Sequence, residues 1–125
     1  MMRRAVWAIA VVASLAPPWA AAAGQAPTWQ VTGADAERGR RLAAEFGCAR
    51  CHTIPGVRDA IGNVGPPLTR FADRTFVAGM LRNEPANLVH WLRQPQSVVP
   101  GNAMPDTGLS EQQARDIAAY LYTLH

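Results

Sequence analysis

The stretch Cys48-Ala49-Arg50-Cys51-His52 constrains this chain more than any other. The two cysteines are the only ones present, and a histidine directly follows the second. This C-x-x-C-H spacing is the signature of covalent haem attachment. Each residue has a chemical task. Two thiols add to the two vinyl groups of a porphyrin, and the turn of chain between them gives roughly the needed span. The imidazole of His52 is then held under the ring as the proximal iron ligand. Other uses of the thiols fit less of the sequence. A thioredoxin-like pair needs a βαβ context, and none is visible. A zinc site wants four ligands, and His52, His90 and His125 stand at no finger-like spacing from the cysteines. A structural disulfide would close a loop too short to stabilise much.

The N-terminus bears on compartment. Met1-Met2-Arg3-Arg4 is basic, Ala5 to Ala16 is apolar except for Ser14, and Pro17-Pro18 ends the run. Ala21-Ala22-Ala23 offers a small-residue cleavage site. This is the layout of a secretory signal peptide over residues 1–23. The alternative is an uncleaved N-terminal anchor, but the run is short of the ~20 apolar residues that span a bilayer. Cleavage after Ala23 leaves an extended lead-in over 24–34 and one domain over 35–125. The expected location is periplasmic, with membrane association only if the signal stays uncleaved. Export means the thiols must stay reduced until the haem is ligated, because an oxidising compartment would otherwise pair them.

Charge excludes one class of partner. The chain has twelve Arg, no Lys and nine acidic residues. Without Arg3 and Arg4 it is close to neutral. No basic run or aromatic-basic pattern supports nucleic-acid binding.

The domain reads as all-α. Asp35 is a candidate N-cap for a helix over Ala36–Phe46, with Leu42, Ala43 and Phe46 as its apolar stripe. Gly39 weakens that helix, so close packing there is the expected reason for it. Gly47 ends it. Residues 53–68 are rich in glycine and proline and predict a loop. Asp73 predicts the cap of a short helix through Met80. Pro85 suits a first helical turn, with the helix continuing over Ala86–Arg93 until Pro95 stops it. Gln96–Gly108 predicts a loop. Ser110 and Gln113 form a capping-box pattern ahead of a last helix to about Leu124.

With these elements in place the chain resembles the class I cytochromes c, in a compact bacterial form. The resemblance covers most of the expected mature sequence, residues 24–125. It rests on Cys-x-x-Cys-His-Thr at 48–53, Gly65-Pro66-Pro67-Leu68, the run Trp91, Leu92, Pro95, Pro100, Gly101 and Met104, and the closing helix with Ala118-Ala119-Tyr120-Leu121. It implies three to five helices wrapped around one covalently bound haem c. It implies that the Pro66 carbonyl accepts a hydrogen bond from His52, that Leu68 and Trp91 pack on the haem, and that Arg74 meets a propionate. Such a bond at His52 would orient the ring and raise its basicity. It also implies that Met104 is the sixth iron ligand. The stretch from Leu68 to Met104 is short for a mitochondrial-type member, and a lysine ring around the haem edge is impossible here.

Methionine is more often a core filler, and Met80 competes with Met104 for the iron. Met80 is expected at a helix end among apolar neighbours, where packing suits it better. His90 is expected on a helix surface and His125 at a frayed end. His/Met ligation favours ferrous iron and raises the reduction potential. The expected function is a single-electron carrier, not an enzyme, working between redox partner proteins of a respiratory chain. The chain would act as a monomer or as a complex subunit. The alternatives are an electron-accepting haem subunit of a respiratory or dehydrogenase complex, and a haem sensor or enzyme with a labile sixth ligand.

Overall fold

The computed structural model describes residues 29–125. The expected signal peptide, its cleavage site and the start of the lead-in lie outside the described residues. Four helices follow: α1 (Ala36–Glu45), α2 (Pro85–Arg93), α3 (Pro95–Val98) and α4 (Glu111–Leu121). Between α1 and α2 the chain forms two 3-10 turns, Cys48–Arg50 and Phe71–Asp73, and a small hairpin of β1 (Phe76–Val77) and β2 (Leu81–Arg82).

The helix ends follow from local chemistry. The Asp35 carboxylate accepts from the Arg38 amide at 2.8 Å, closing the first turn of α1. Gly47, just past that helix, adopts φ 74°, a left-handed conformation that glycine enters at no steric cost. Pro85 opens α2 at a position whose amide has no helical partner anyway. At α4 the Ser110 hydroxyl and the Gln113 side chain cap each other's backbone amides.

The helices at either end of the domain cross through contact of their backbones. A Cβ on Gly39 would stand 1.9 Å from the carbonyl oxygen of Asp116, so only glycine permits the approach. Leu42 and Ala43 of α1 then bury against Ala114, Ile117, Ala118 and Leu121 of α4. The Asp116 side chain is 1% exposed and fully partnered. It accepts from the Asp35 amide at 2.9 Å, from Arg38 Nε and Nη2 at 2.5 and 2.8 Å, and from Gln112 at 3.0 Å. Burial works against its charge, but these donors outweigh burial and hold the carboxyl below the usual aspartate range.

The segment after Leu68 departs from the sequence expectation. Asp73 closes the 3-10 turn instead of capping a helix, and residues 74–80 form no helix. Arg70 and Ala78 take φ 52° and 53°, followed by Gly79 at 68°, and these left-handed residues turn the chain into the hairpin. Met80 sits in the hairpin turn and is 66% exposed, so it is not core filler. Residues 96–98, expected in a loop, belong to α3, which Pro95 opens after α2 ends. The last helix ends at Leu121, and the Leu124 carbonyl instead accepts from the Ala72 amide at 2.9 Å. His125 rests near Asp73 at 3.4 Å rather than standing free.

Asn83 ties this region to the C-terminus. It is 2% exposed. Its amide donates to the carbonyls of Phe71 (3.1 Å) and Arg74 (3.0 Å), and its oxygen accepts from the Tyr122 hydroxyl at 3.0 Å. Tyr122 also stacks on Trp29, with ring centroids 5.7 Å apart.

Replacing Gly39 by alanine should lower stability to denaturant by about 3 kcal/mol, the upper range for overpacking a tight contact. Asp116→Asn should cost about 2 kcal/mol at neutral pH, because charged donors lose a charged acceptor. The folded carboxyl of Asp116 titrates lower than the unfolded one. Its contribution is therefore complete above the ordinary aspartate range and disappears as acid protonates the folded form. Denaturation midpoints measured from pH 7 down to pH 2 should fall less steeply in Asp116→Asn than in the parent.

Candidate haem site

The attachment motif forms a single 3-10 turn between α1 and the following loop. The His52 amide donates to the Cys48 carbonyl at 3.0 Å, which folds the imidazole back beside the thiols. Cys48 and Cys51 are free thiols. Burial pushes the Cys48 thiol above its usual pKa, so it stays protonated near neutrality.

His52 is held by the opposite loop. Its Nδ1 lies 2.7 Å from the Pro66 carbonyl oxygen. A carbonyl only accepts, so Nδ1 carries the proton and Nε2 keeps its lone pair for an electrophile. Gly65 makes this possible, because a Cβ there would stand 2.3 Å from His52 Cε1. Two backbone bonds dock the same loop, from the Gly65 amide to the Cys51 carbonyl and from the Leu68 amide to the Thr53 carbonyl, each 2.8 Å.

Met104 lies on the loop between α3 and α4, and both of its backbone polar groups are pinned by side chains. Its amide donates to Asn102 Oδ1 at 2.7 Å, and its carbonyl accepts from Gln96 Nε2 at 2.7 Å. Asn102 in turn donates to the Pro95 and Val99 carbonyls. The loop is therefore locally rigid without regular structure.

One cavity of about 370 Å³ brings these groups together, within the range of small-molecule and cofactor clefts. Cys48, Cys51, His52, Pro66, Leu68, Arg74, Trp91 and Met104 all line it. A smaller space of about 50 Å³ is bordered by Cys48, His52, Leu68, Trp91 and Met104 as well. Arg74 is the one arginine in the cavity wall. Its guanidinium donates to the Pro67 carbonyl and sits 5.3 Å from the centre of the Phe71 ring. Phe71, Val77, Asn102 and Thr107 also line the space.

The sequence did not single out Phe71, Gln96, Asn83 or Asn102. Phe71 follows a left-handed residue that no motif announces. The other three act through side-chain bonds to distant carbonyls, which leave no periodic signal.

The donor set suits an iron porphyrin. It offers two thiols for the vinyl groups, one imidazole nitrogen with a lone pair, one thioether and a largely apolar wall. The cytochrome c family profile matches residues 36–125. The chain belongs to the cytochrome c family. The family implies haem c, and this cytochrome supplies the two cysteines that attach it.

A 90-residue stretch is 39% identical to cytochrome c oxidase subunit 2 of Alkalihalophilus pseudofirmus, covering 71% of this chain and 25% of that protein. Over 81 residues it is 40% identical to cytochrome c oxidase subunit 2 of a Bacillus species, covering 62% and 23%. This cytochrome thus spans about a quarter of the length of the oxidase subunits it matches. Among solved structures, cytochrome c2 from Paracoccus denitrificans superposes with a TM-score of 0.52 at 20% identity, covering 72% of this chain and 95% of that one. At that identity the likeness shows the fold.

Gly65→Ala should push His52 away from Pro66, since its Cβ has no free space. In haem-loaded protein, absorption spectra should show a larger high-spin fraction, and the reduced form should bind carbon monoxide more readily than the parent does.

Proposed function

We propose that this cytochrome carries single electrons on one haem c, joined through Cys48 and Cys51 and ligated by His52 and Met104, between redox partners outside the cytoplasmic membrane. The observation that carries this reading is the pairing of His52 and Met104 on one cavity wall system with both thiols. When bound, the haem supplies a one-electron change at iron. The chain's own residues keep that change small in structural terms. Pro66 fixes the ring orientation and the tautomer of His52. Gln96 and Asn102 fix the backbone of Met104. With His52 and Met104 both held as donors to the iron, no coordination site would be left for a substrate. Phe71, Leu68 and Trp91 keep the surroundings apolar, which disfavours the extra charge of ferric iron and raises the potential.

Location outside the cytoplasmic membrane is supported by the signal-like composition of residues 1–23. Among the described residues, no helix is long and apolar enough to cross a membrane.

The relatives favour a second reading. Their names describe an oxidase subunit, and the stretch they share with this chain is only about a quarter of their length. An equivalent module here would act as an electron-accepting haem unit of a respiratory oxidase, not as a mobile carrier. Copurification of oxidase activity with the native protein in mild detergent favours this second reading. Isolation as a lone haem protein favours the carrier.

Met104→Ala should abolish the weak far-red ferric absorption that reports sulfur ligation, while Met80→Ala keeps it. The opposite pattern would reassign the ligand. Cys51→Ala, expressed with export, should show a sharp loss of haem-bearing mass in denatured protein.

A further inference from the structure

We propose that the surface beside Cys51 docks a redox protein whose contact patch is apolar and carries one carboxylate, received by Arg50. The proposal rests on the electron-carrier reading above and names the chemistry of the partner. The strip Ile61–Gly65 lies directly on the attachment turn. A Cβ on Gly62 would meet the backbone of Arg50 and Cys51 at 2.6 Å. The Gly62 carbonyl accepts from the Thr53 hydroxyl at 3.2 Å, and Ile61 pairs with Thr53 in an isolated bridge. This anchored strip presents Ile61 at 84% and Val64 at 65% exposure. Val64 borders the cavity, but Ile61 does not. The exposure of Ile61 is therefore independent of what fills the cavity. Its backbone is already fixed, so docking on it orders little new chain.

The charge around this strip is unusually simple. The exposed residues bordering the cavity, from Val64 and Pro66 to Ala103 and Pro105, are all uncharged. Exposed Arg58, Arg70 and Arg82 are each paired with a neighbouring acid. Arg50 is exposed inside the attachment turn and has no ion-pair partner among the described residues. Its guanidinium folds over Gly47, with Nη2 2.6 Å from where a Cβ on that glycine would stand. Gly47 borders the same cavity as Cys51. An apolar contact centre with a single arginine is the composition of an energetic anchor at a protein interface, and the guanidinium fork matches a carboxylate. The other arginine of the cavity wall, Arg74, is only half-buried and is turned to the Pro67 carbonyl, so among the described residues a partner with a broad acidic field would find one exposed, unpaired cation here.

The step itself moves one electron from the reduced protein to the oxidised one, with no atom transferred. The test uses the full haem-loaded chain. Electron self-exchange between oxidised and reduced copies, read from proton NMR line widths, should slow about fivefold in Ile61→Ser, which removes apolar contact from the encounter. Oxidation by ferricyanide at low salt should slow about threefold in Arg50→Gln, and the difference should vanish at high salt. Reduction potentials should match the parent in both variants. Unchanged self-exchange in Ile61→Ser, or unchanged ferricyanide oxidation in Arg50→Gln, overturns the proposal. So does Ile61-dependent sedimentation with phosphatidylglycerol vesicles, which would make the patch a lipid contact. A parent protein that ferricyanide cannot oxidise would instead overturn the electron-carrier reading.

Discussion

The contact on which the rest of this fold depends is the crossing of α1 and α4 at Gly39. Two backbones meet there with no side chain between them. The approach is close enough to bring Asp35, Arg38 and Gln112 around one buried carboxylate. A buried ion pair is weak evidence of stability in itself. Its value here is geometric, because it fixes the start of α1 against one side of α4. The other faces of those helices are then free to form the apolar back wall, and everything between them in sequence is left to shape the cavity.

That intervening chain builds the site mostly from loops, which are held by carbonyls and amide side chains. Pro66 restrains His52, Gln96 and Asn102 restrain Met104, and Asn83 restrains the segment carrying Phe71 and Arg74. Loops held this way keep definite positions without long helices. An electron carrier benefits from such restraint, since atoms that do not move on a change of charge add little to the barrier. The hairpin shields one side of the cavity through Val77, whose side chain is 2% exposed.

Features governed by local chemistry were legible in the sequence. The Asp35 cap, the Gly47 turn, Pro85 at its helix start and the Ser110–Gln113 box all reflect short-range rules. The attachment motif and Met104 were visible because their spacing is specific, and the cavity unites all eight residues marked as site candidates. The stretch 70–82 was not legible. Asp73 has the composition of a helix cap, but left-handed Arg70 and Ala78 decide the path, and neither residue type announces that conformation. Met80 was misplaced with it. Asp116 and Asn83 were invisible for a different reason. Each is a polar residue inside a helix or turn pattern, and its importance comes from partners far away in sequence.

The long reach of one pairing bears on how the protein matures. Arg38 and Asp116 stand 78 positions apart. Synthesis runs from the N-terminus, so Arg38 and the attachment turn leave the ribosome well before Asp116 and α4 do. During that interval the Gly39 face of α1 has no α4 backbone to meet, and Arg38 has no Asp116 to pair with. The crossing of the two end helices can therefore close only after the last helix has emerged. Assembly order, and not only final geometry, is written into where this acid was placed.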